Sequence, residues 1–420
     1  MSGTKIEINI FDIGKTFFLL WLLLPYVGIS NFQYITELSS LAFLYPILNK
    51  LMIVNSVILL CYVLYHILLF KRIISKYCIL IIGIYCYILM RTLINGGMGY
   101  RNLLTVIVLM SFLDIFLFYQ RKNIFIFIDA LNILLTFNFA FILRFVGQGG
   151  LVFWSSRQQR YWNSYYLLGY DNGYIVFMLP LMCFNFILFK QCAKKRYLAA
   201  SVIDICSELL INSTTSLIAL FVFAFLYLMK QNRFLKMLFY KTASIILIYS
   251  AGFIFFVIFK VQNILDDVIF YLFHKDLNHT RWVLWNDGIE KAKAGFFFGY
   301  GYNKEIFGKG YLTPHNMILE WMIQGGIIEV IGYLVLLCFA FHKLQQEIDS
   351  YAAKILWNGI FAVLLAYMSE GYSEYIYYWI FLTLILVGCR YNQFMTILGM
   401  KSKSENFNII KVNEYNSQFT

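Results

Sequence analysis

The chain has 420 residues, of which 61% are hydrophobic and 13% are charged, and its formal net charge is +12. A soluble domain is about half apolar and about a quarter charged, so this composition excludes an ordinary water-solvated globular protein. The eight cysteines show no CxxC or other metal-like spacing, which excludes a disulfide framework and a zinc site.

Apolar runs long enough to cross a bilayer follow one another along the chain. A membrane helix needs about 20 mainly apolar residues, and this criterion predicts about twelve of them. The predicted fold class is therefore all-α, a polytopic integral membrane protein. The predicted spans are 14–34, 51–70, 77–95, 102–120, 124–143, 170–190, 197–211, 213–230, 242–260, 316–342, 354–371 and 374–391.

Basic residues alternate between the two sides of the predicted spans. With the N-terminus in the cytoplasm, the inward turns hold most of them, such as Lys71, Arg72 and Arg196, whereas outward turns hold few, such as Arg91. Positive charge is retained on the cytoplasmic side during insertion, so both termini are predicted to be cytoplasmic. Because the basic residues are spread over many short loops, no nucleic-acid partner is expected.

Two predicted outer loops are too long to be turns. One covers 144–169, and the larger one, between the ninth and tenth helices, covers 261–315. Both keep cations on the side where insertion disfavours them, which indicates that the cations are used there. The predicted division of the chain is 1–260 for helices one to nine, 261–315 for the large outer loop, 316–391 for helices ten to twelve and 392–420 for a cytoplasmic tail.

Charge, glycine, aromatic side chains and one His-Asn pair are concentrated in residues 281–320. Thr313 and Pro314 are typical of a helix start, which places His315 and Asn316 in the first turn of the tenth helix. A helix N-terminus favours a neutral imidazole and attracts anions, so His315 could accept a proton from a sugar hydroxyl. The structural alternative is a helix-capping histidine at the membrane surface.

Arg281, Trp285 and Gly288 have the spacing of one face of a short helix. An arginine fork binds phosphate oxygens in pairs. The alternative is an arginine that extends to the membrane edge beside an interfacial tryptophan. Tyr300 lies between two glycines, Gly299 and Gly301, in a predicted tight turn.

The first outer loop pairs arginine with aromatic residues. Arg157 and Arg160 are three residues apart and could share a face, and an aromatic run follows at 161–166. Aromatic rings are platforms for sugars and equally for the membrane interface. Asn172, at the start of the sixth span, is expected to cap the helix or to bind polar groups.

Other polar residues allow two readings each. Four acidic residues lie in or near predicted spans: Asp114, Asp129, Asp204 and Glu208. An acidic residue at membrane depth is by default expected to have a function. The run 213–216 and Glu370 are expected either to cap helices and turns or to line a polar cavity. His274, Asp276 and His279 could ligate a metal, but the chain offers no matching second cluster, and no metal is predicted.

Taken as a set, these residues resemble the O-antigen polymerase and ligase superfamily, whose members are multi-span membrane proteins with a large outer loop late in the chain. In the ligase pattern, the glycine that corresponds to Gly326 is followed three residues later by Gly, Thr or Tyr. This chain has Glu329 at that position. That departure favours a Wzy-type polymerase over a ligase. The residues that carry the resemblance are Arg281, Trp285, Gly288, Gly299, Gly301, His315, Asn316 and Gly326.

The resemblance implies a glycosyltransferase that joins oligosaccharide repeats carried on undecaprenyl diphosphate, at the outer face of the bacterial plasma membrane. It implies catalytic roles for His315 and Arg281. It implies membrane lipids and a chain-length regulator as partners, and no cofactor. The residues expected to bind substrate are Arg157, Arg160, Asn316, Trp285 and Tyr300.

Three other functions remain open from the sequence. The first is an O-antigen ligase that transfers the glycan to a lipid A core. The second is a flippase for lipid-linked sugars, which the number of predicted spans also fits. The third is a non-enzymatic assembly protein.

Overall fold

A computed structural model describes most of the chain, and the statements below concern the residues that it describes. These are residues 10–26, 43–97, 99–155, 160–229, 232, 234, 238–259, 271, 281–302, 314–371 and 378–399.

The described chain is almost entirely helical, and every predicted span contains a helix, so the all-α membrane fold is confirmed. The helices are α1 (Ile10–Leu23), α2 (Leu44–Phe70), α3 (Lys76–Ile94), α4 (Tyr100–Tyr119), α5 (Arg121–Phe145), α6 (Tyr174–Cys192), α7 (Lys195–Ile211), α8 (Thr214–Leu228), α9 (Thr242–Phe253, continued by a π turn Ile254–Ile258), α10 (Arg281–Ala294), α11 (Met317–Gln346), α12 (Tyr351–Ala366), α13 (Tyr378–Cys389) and α14 (Tyr391–Ile397).

Not all of these helices are long enough to cross a bilayer alone. In the described part of the chain, α2 to α6 and α11 are long and apolar enough, and α13 and α14 pass the same test together as a pair bent by 88°. The helices α8, α9 and α12 are apolar but shorter. The number of crossings therefore stays a prediction.

The helix α13 lies at the centre of the bundle, packed against α4, α6, α11 and α12. All 12 of its residues are buried. By contrast, α2 exposes long apolar side chains such as Leu68 and Leu69. Exposed apolar faces of this kind suit contact with lipid, because helices satisfy their backbone groups internally.

The helix α11 is interrupted at Gly326, whose backbone has φ 65° and ψ −158°. A Cβ atom at Gly326 would lie 2.5 Å from the carbonyl carbon of Phe297, so a side chain cannot fit there. The adjacent glycines Gly325 and Gly326 predict from the sequence only that another helix approaches closely. What approaches is the backbone of residues 295–302, which follow α10 and are called the docking segment below.

Backbone hydrogen bonds join the docking segment to both sides of the break in α11. They occupy carbonyl and amide groups that an unbroken helix would pair internally. They run from Tyr300 N to Ile323 O (2.7 Å), from Gly301 N to Gln324 O (2.7 Å) and from Ile327 N to Phe296 O (2.8 Å).

The helix α3 holds the docking segment from the other side. The Tyr87 hydroxyl donates to the carbonyls of Phe298 (3.0 Å) and Gly325 (3.2 Å). Nη2 of Arg91 donates to the carbonyl of Gly299 at 2.9 Å. The docking segment is therefore fixed between two helices, and it fixes the end of α10 in turn.

A small antiparallel sheet occupies the first of the two predicted outer loops. Its strands are β1 (Leu151–Ser155), β2 (Arg160–Tyr166) and β3 (Gly169–Tyr170), in the order β1-β2-β3. These strands are not predicted from the sequence, although their aromatic-rich composition is typical of strands. The sheet leads directly into the turn Asp171–Gly173 at the start of α6.

A buried ion pair lies at the junction of α13 and α14, on the predicted cytoplasmic side. Nη1 of Arg390 pairs with Oδ1 of Asp114, and the arginine also lies 4.0 Å above the ring of Phe118. The backbone N–H and the hydroxyl of Ser75 donate to the same carboxylate at 2.7 and 2.9 Å. Asp114, a functional candidate in the sequence, is therefore a packing residue at this junction.

Replacement of Asp114 by Ala is expected to lower the free energy of unfolding by about 3 kcal/mol, because it leaves the mostly buried guanidinium of Arg390 without its charged partner. The midpoint of unfolding in detergent measures this loss. The matched control is Arg101→Ala, which removes an exposed arginine from the same helix as Asp114. The control should cost less than about 1 kcal/mol, and equal losses in the two variants would contradict the assignment.

Candidate active site

Asn316 caps the N-terminus of α11. Its side-chain oxygen accepts from the backbone N–H of Leu319 at 3.1 Å, and its Nδ2 donates to the carbonyl of Met368 at 2.8 Å. The predicted helix start at Thr313 and Pro314 is therefore three residues too early, because α11 begins at Met317. A fully buried Asn316 ties this helix end to the end of α12.

His315 lies immediately before this cap, in a left-handed backbone conformation with φ 49°. Such a φ is uncommon for a residue other than glycine, and it persists only where the surroundings enforce it. Here Pro314 precedes the histidine and the buried cap follows it. The side chain of His315 is 36% exposed, so the imidazole is presented at the surface by a fixed backbone.

A buried carboxylate holds the imidazole of His315. Nδ1 of His315 lies 2.8 Å from Oε2 of Glu370, whose side chain is only 5% exposed. A carboxylate that accepts from Nδ1–H fixes the tautomer in which Nε2 carries the lone pair. The pair therefore has the geometry of a base and the group that orients it.

Glu370 also joins the histidine to the start of α6 and to the α7–α8 turn. Nδ2 of Asn172 donates to Oε1 of Glu370 at 2.8 Å, and the hydroxyl of Ser213 donates to Oδ1 of Asn172 at 2.6 Å. Ser213 in turn caps α8. Four separate parts of the chain thus converge on one hydrogen-bonded network.

The helix α10 packs against the start of α11, as the spacing of its residues indicates. Nε1 of Trp285 donates to the carbonyl of His315 at 3.5 Å, and Trp285 is buried. A Cβ atom at Gly288 would lie 3.1 Å from Cβ of Pro314 and 3.2 Å from Cδ1 of Leu319. Two of the three predicted face residues therefore contact the segment that carries the histidine.

The three arginines of the predicted site come from two parts of the chain. Arg281 is the first residue of α10, one turn before Trp285. Arg160 is the first residue of β2 and pairs with Ser155 in the register of the sheet. Arg157 lies outside the described residues. Their roles in the site stay predictions.

Tyr300 lies in the docking segment, beside Ile323 of α11. Its ring packs on Gly295, where a Cβ atom would lie 2.6 Å from Cε2 of the tyrosine. Its carbonyl accepts from Nδ2 of Asn95 at 2.9 Å. Ile323 is about two helical turns from Asn316, so the ring lies further along α11 than the histidine.

Carboxyl groups dominate the described charges of the network. Asp171, which is buried, accepts from the backbone N–H of Asn172 at 2.6 Å, next to Glu370. Burial raises the pKa of Tyr166, at the end of β2, and the negative charge of Asp171 raises it further. Tyr166 is therefore a neutral phenol at physiological pH.

Within the described residues, no group of three or more His, Cys, Asp or Glu side chains could hold a metal ion. The sequence HKDLNH, which contains His274, Asp276 and His279, lies outside the residues that the structure describes.

Sequence reasoning does not place Glu370, Asn172 and Ser213 in the site. The sequence predicts that Glu370 and Ser213 cap helices and turns or line a polar cavity, and that Asn172 caps a helix or binds polar groups, because nothing local links them to His315. Glu370 is 55 residues from the histidine in sequence. The available signal is the charged residue itself, in a turn between two apolar helices, where a lone acid is costly without a partner.

Comparison with known sequences gives one match. The O-antigen ligase family matches residues 199–336, from α7 into α11, which include Arg281, Trp285, Tyr300, His315 and Asn316. No curated protein and no solved structure matches the chain. Residues 199–336 of this multi-pass membrane protein are therefore similar to the O-antigen ligase family, which confirms the resemblance to the O-antigen polymerase and ligase superfamily.

Proposed function

We propose that this protein is a polymerase for a bacterial surface polysaccharide. Its substrates are oligosaccharide repeats linked to undecaprenyl diphosphate, which it joins at the outer face of the plasma membrane. The observation that carries the proposal is the pair formed by His315 and Glu370, 2.8 Å apart at the start of a helix that belongs to the family match. A half-exposed base with a buried orienting carboxylate suits the activation of a sugar hydroxyl.

The proposed reaction makes one glycosidic bond and breaks one. The acceptor hydroxyl gives its proton to Nε2 of His315, and its oxygen attacks the anomeric carbon of the donor sugar. The bond from that carbon to the diphosphate oxygen breaks, and its electron pair leaves with the lipid diphosphate. Glu370 stabilises the imidazolium that forms, because a buried carboxylate favours the charged ring.

Cations are needed where the leaving diphosphate gains charge, and we assign this role to Arg281, Arg157 and Arg160. Cations that the protein holds in place before the reaction stabilise the transition state more than freely solvated cations do. We assign Trp285, Asn316 and Tyr300 to substrate binding, because they shape the binding region. Trp285 donates to the backbone carbonyl of His315 and Asn316 caps the helix directly after it, so both act through the backbone that presents the imidazole.

Replacement of Arg281 by Ala is expected to lower the rate of transfer by roughly 100-fold to 1,000-fold, the usual effect of removing one such group. Arg281→Lys should restore only part of the rate, because a point charge does not copy the paired hydrogen bonds of a guanidinium. The rate of lipid diphosphate release measures both variants. The control is Lys291→Ala, which removes an exposed cation from the same helix; an equal loss in that control would contradict the assignment.

The ligase is the second candidate, because the matching family is described as O-antigen ligase. Deletion in a cell that makes a lipid A core with O-antigen repeats separates the two functions. A missing polymerase leaves one repeat on the core, whereas a missing ligase leaves the core bare. A missing flippase instead leaves the lipid-linked repeats on the inner face. The proposal predicts the first result, and we further propose that a chain-length regulator is the partner that sets polymer length.

A further inference from the structure

A second polar cluster lies inside the bundle, away from the candidate active site. Asp204 and Glu208 are one turn apart on α7, and they are 1% and 2% exposed. Within the described residues, none of their four carboxylate oxygens has a hydrogen-bond partner. An isolated buried carboxylate is so costly that the group binds a proton or a cation instead.

The hydroxyl of Ser216 points into the same space. Ser216 lies in the first turn of α8, is fully buried, and its Oγ has no hydrogen-bond partner among the described residues. It faces the carboxyl group of Glu208. A serine hydroxyl both donates and accepts, so it can pass a proton between two neighbours.

This cluster continues to the candidate active site at its outer end. The backbone N–H of Ser216 donates to the hydroxyl of Ser213 at 3.5 Å, and Ser213 donates to Asn172 at 2.6 Å. Asn172 is the residue that binds Glu370, the partner of His315. A series of polar groups, one of them the backbone N–H of Ser216, therefore runs from the histidine to the buried carboxyl pair.

The inner end of the cluster is closed by two amides. Asp204 faces Asn185 of α6, which exchanges two hydrogen bonds with Asn132 of α5, at 2.8 and 2.9 Å. The cluster therefore opens toward the candidate active site and not toward the cytoplasm.

No described cation faces the carboxyl pair from the helices packed against α7. From the turn before α6, Asp171 faces Glu208, and from α6 itself, Cys183 faces Asp204. On α5, Asp129 is paired with Arg196 at 2.7 Å, near the opposite end of α7. The helix α8 contains no Asp, Glu, Lys, Arg or His. The surroundings therefore offer the pair no positive charge, and a proton is the ligand that neutralises it at least cost.

We propose that Asp204 and Glu208 form an internal proton-binding site, which exchanges its protons through the hydroxyl groups at the start of α8 and the candidate active site. The protons bind to carboxylate oxygens, and they leave to water at the outer face. This proton-binding property does not depend on glycosyl transfer, so it can be tested whether or not the polymerase assignment holds.

Infrared spectroscopy of the full-length protein in lipid tests the site directly. A protonated carboxyl group has a C=O stretch that carboxylates and amides lack. The wild type should show this band at neutral pH and lose intensity as the pH is raised, and the double variant Asp204→Asn with Glu208→Gln should show a weaker band at neutral pH, because only other buried acids such as Glu329 then contribute. The isosteric amides keep the volume, and a Glu290→Gln control, at an exposed acid on α10, should keep the band.

Transfer of the protein into heavy water tests the route. The band shifts when the carboxyl proton exchanges, and Ser213→Ala should slow that shift. Ser201→Ala should not slow it, because this hydroxyl donates to the carbonyl of Tyr197 on the same helix. The proposal is wrong if the double variant keeps the full wild-type intensity at neutral pH, if the intensity that it loses does not respond to pH in the wild type, or if sodium ions at constant pH abolish that intensity. Equal exchange in Ser213→Ala and wild type would overturn the route.

Discussion

Replacement of His315 by Ala is expected to lower the rate of polymer formation by about 100-fold to 10,000-fold, the range that a general base contributes. The ring lies at the start of α11 with Nδ1 held by Glu370. Alanine removes the proton acceptor and leaves the cap intact, because Asn316 makes its hydrogen bonds independently of the imidazole. Long polysaccharide chains should therefore vanish while the protein level stays normal.

A matched control for this variant lies on the same helix. His342 is exposed near the far end of α11, where Nε2 lies 3.2 Å from the side chain of Gln346. His342→Ala should keep wild-type chain length. If the two histidine variants made chains of the same length, His315 would not be the base.

Replacement of Glu370 by Gln is expected to lower the rate about 100-fold or more, since a wrongly oriented or wrongly tautomerised histidine is a poor base. The amide has the size of the carboxyl group but carries no charge to stabilise an imidazolium. It also disturbs the hydrogen bond from Asn172 at 2.8 Å. Glu347→Gln, at the C-terminal end of α11, is the control of the same chemistry.

The double variant His315→Ala with Glu370→Gln distinguishes a positioning role from a structural one. Groups that act as a unit lose activity together, so the double variant should be no slower than His315→Ala alone. A loss equal to the product of the two single losses would show that Glu370 acts independently of the histidine.

The broken helix α11 bears on the transporter hypothesis. Transporters of some folds bind substrate at the exposed backbone groups of discontinuous helices. Here the carbonyls of Ile323 and Gln324 accept from the docking segment, and that of Gly325 accepts from Tyr87. These groups are already paired within the protein, which favours a structural role for the break.

The apolar runs of the sequence predict the helices well, because each run must satisfy its backbone groups within lipid. They do not predict how α11 is divided. Gly325 and Gly326 indicate a close approach, but the partner is a non-helical segment whose glycines adopt positive φ, such as Gly299 at φ 61°. Pairing between distant backbone segments has no local signature.

In the candidate site too, local sequence patterns identify individual residues but not their contacts with distant parts of the chain. His315, Asn316 and Trp285 are named by their sequence pattern, and the structure places them in contact through one helix start. The cap itself is Asn316 because its amide reaches Met368, 52 residues further along the chain. Glu370 and Asn172 join for the same reason, since only the packed bundle brings their turns together.

The most direct test of the central claim uses the purified protein in lipid vesicles with a single lipid-linked repeat as donor and acceptor. The wild type should form chains of several repeats and release one lipid diphosphate for each bond, and His315→Ala should form none above the uncatalysed rate. Chain growth by His315→Ala at the wild-type rate would contradict the proposed active site. A wild type that leaves the repeats unjoined would contradict the polymerase itself.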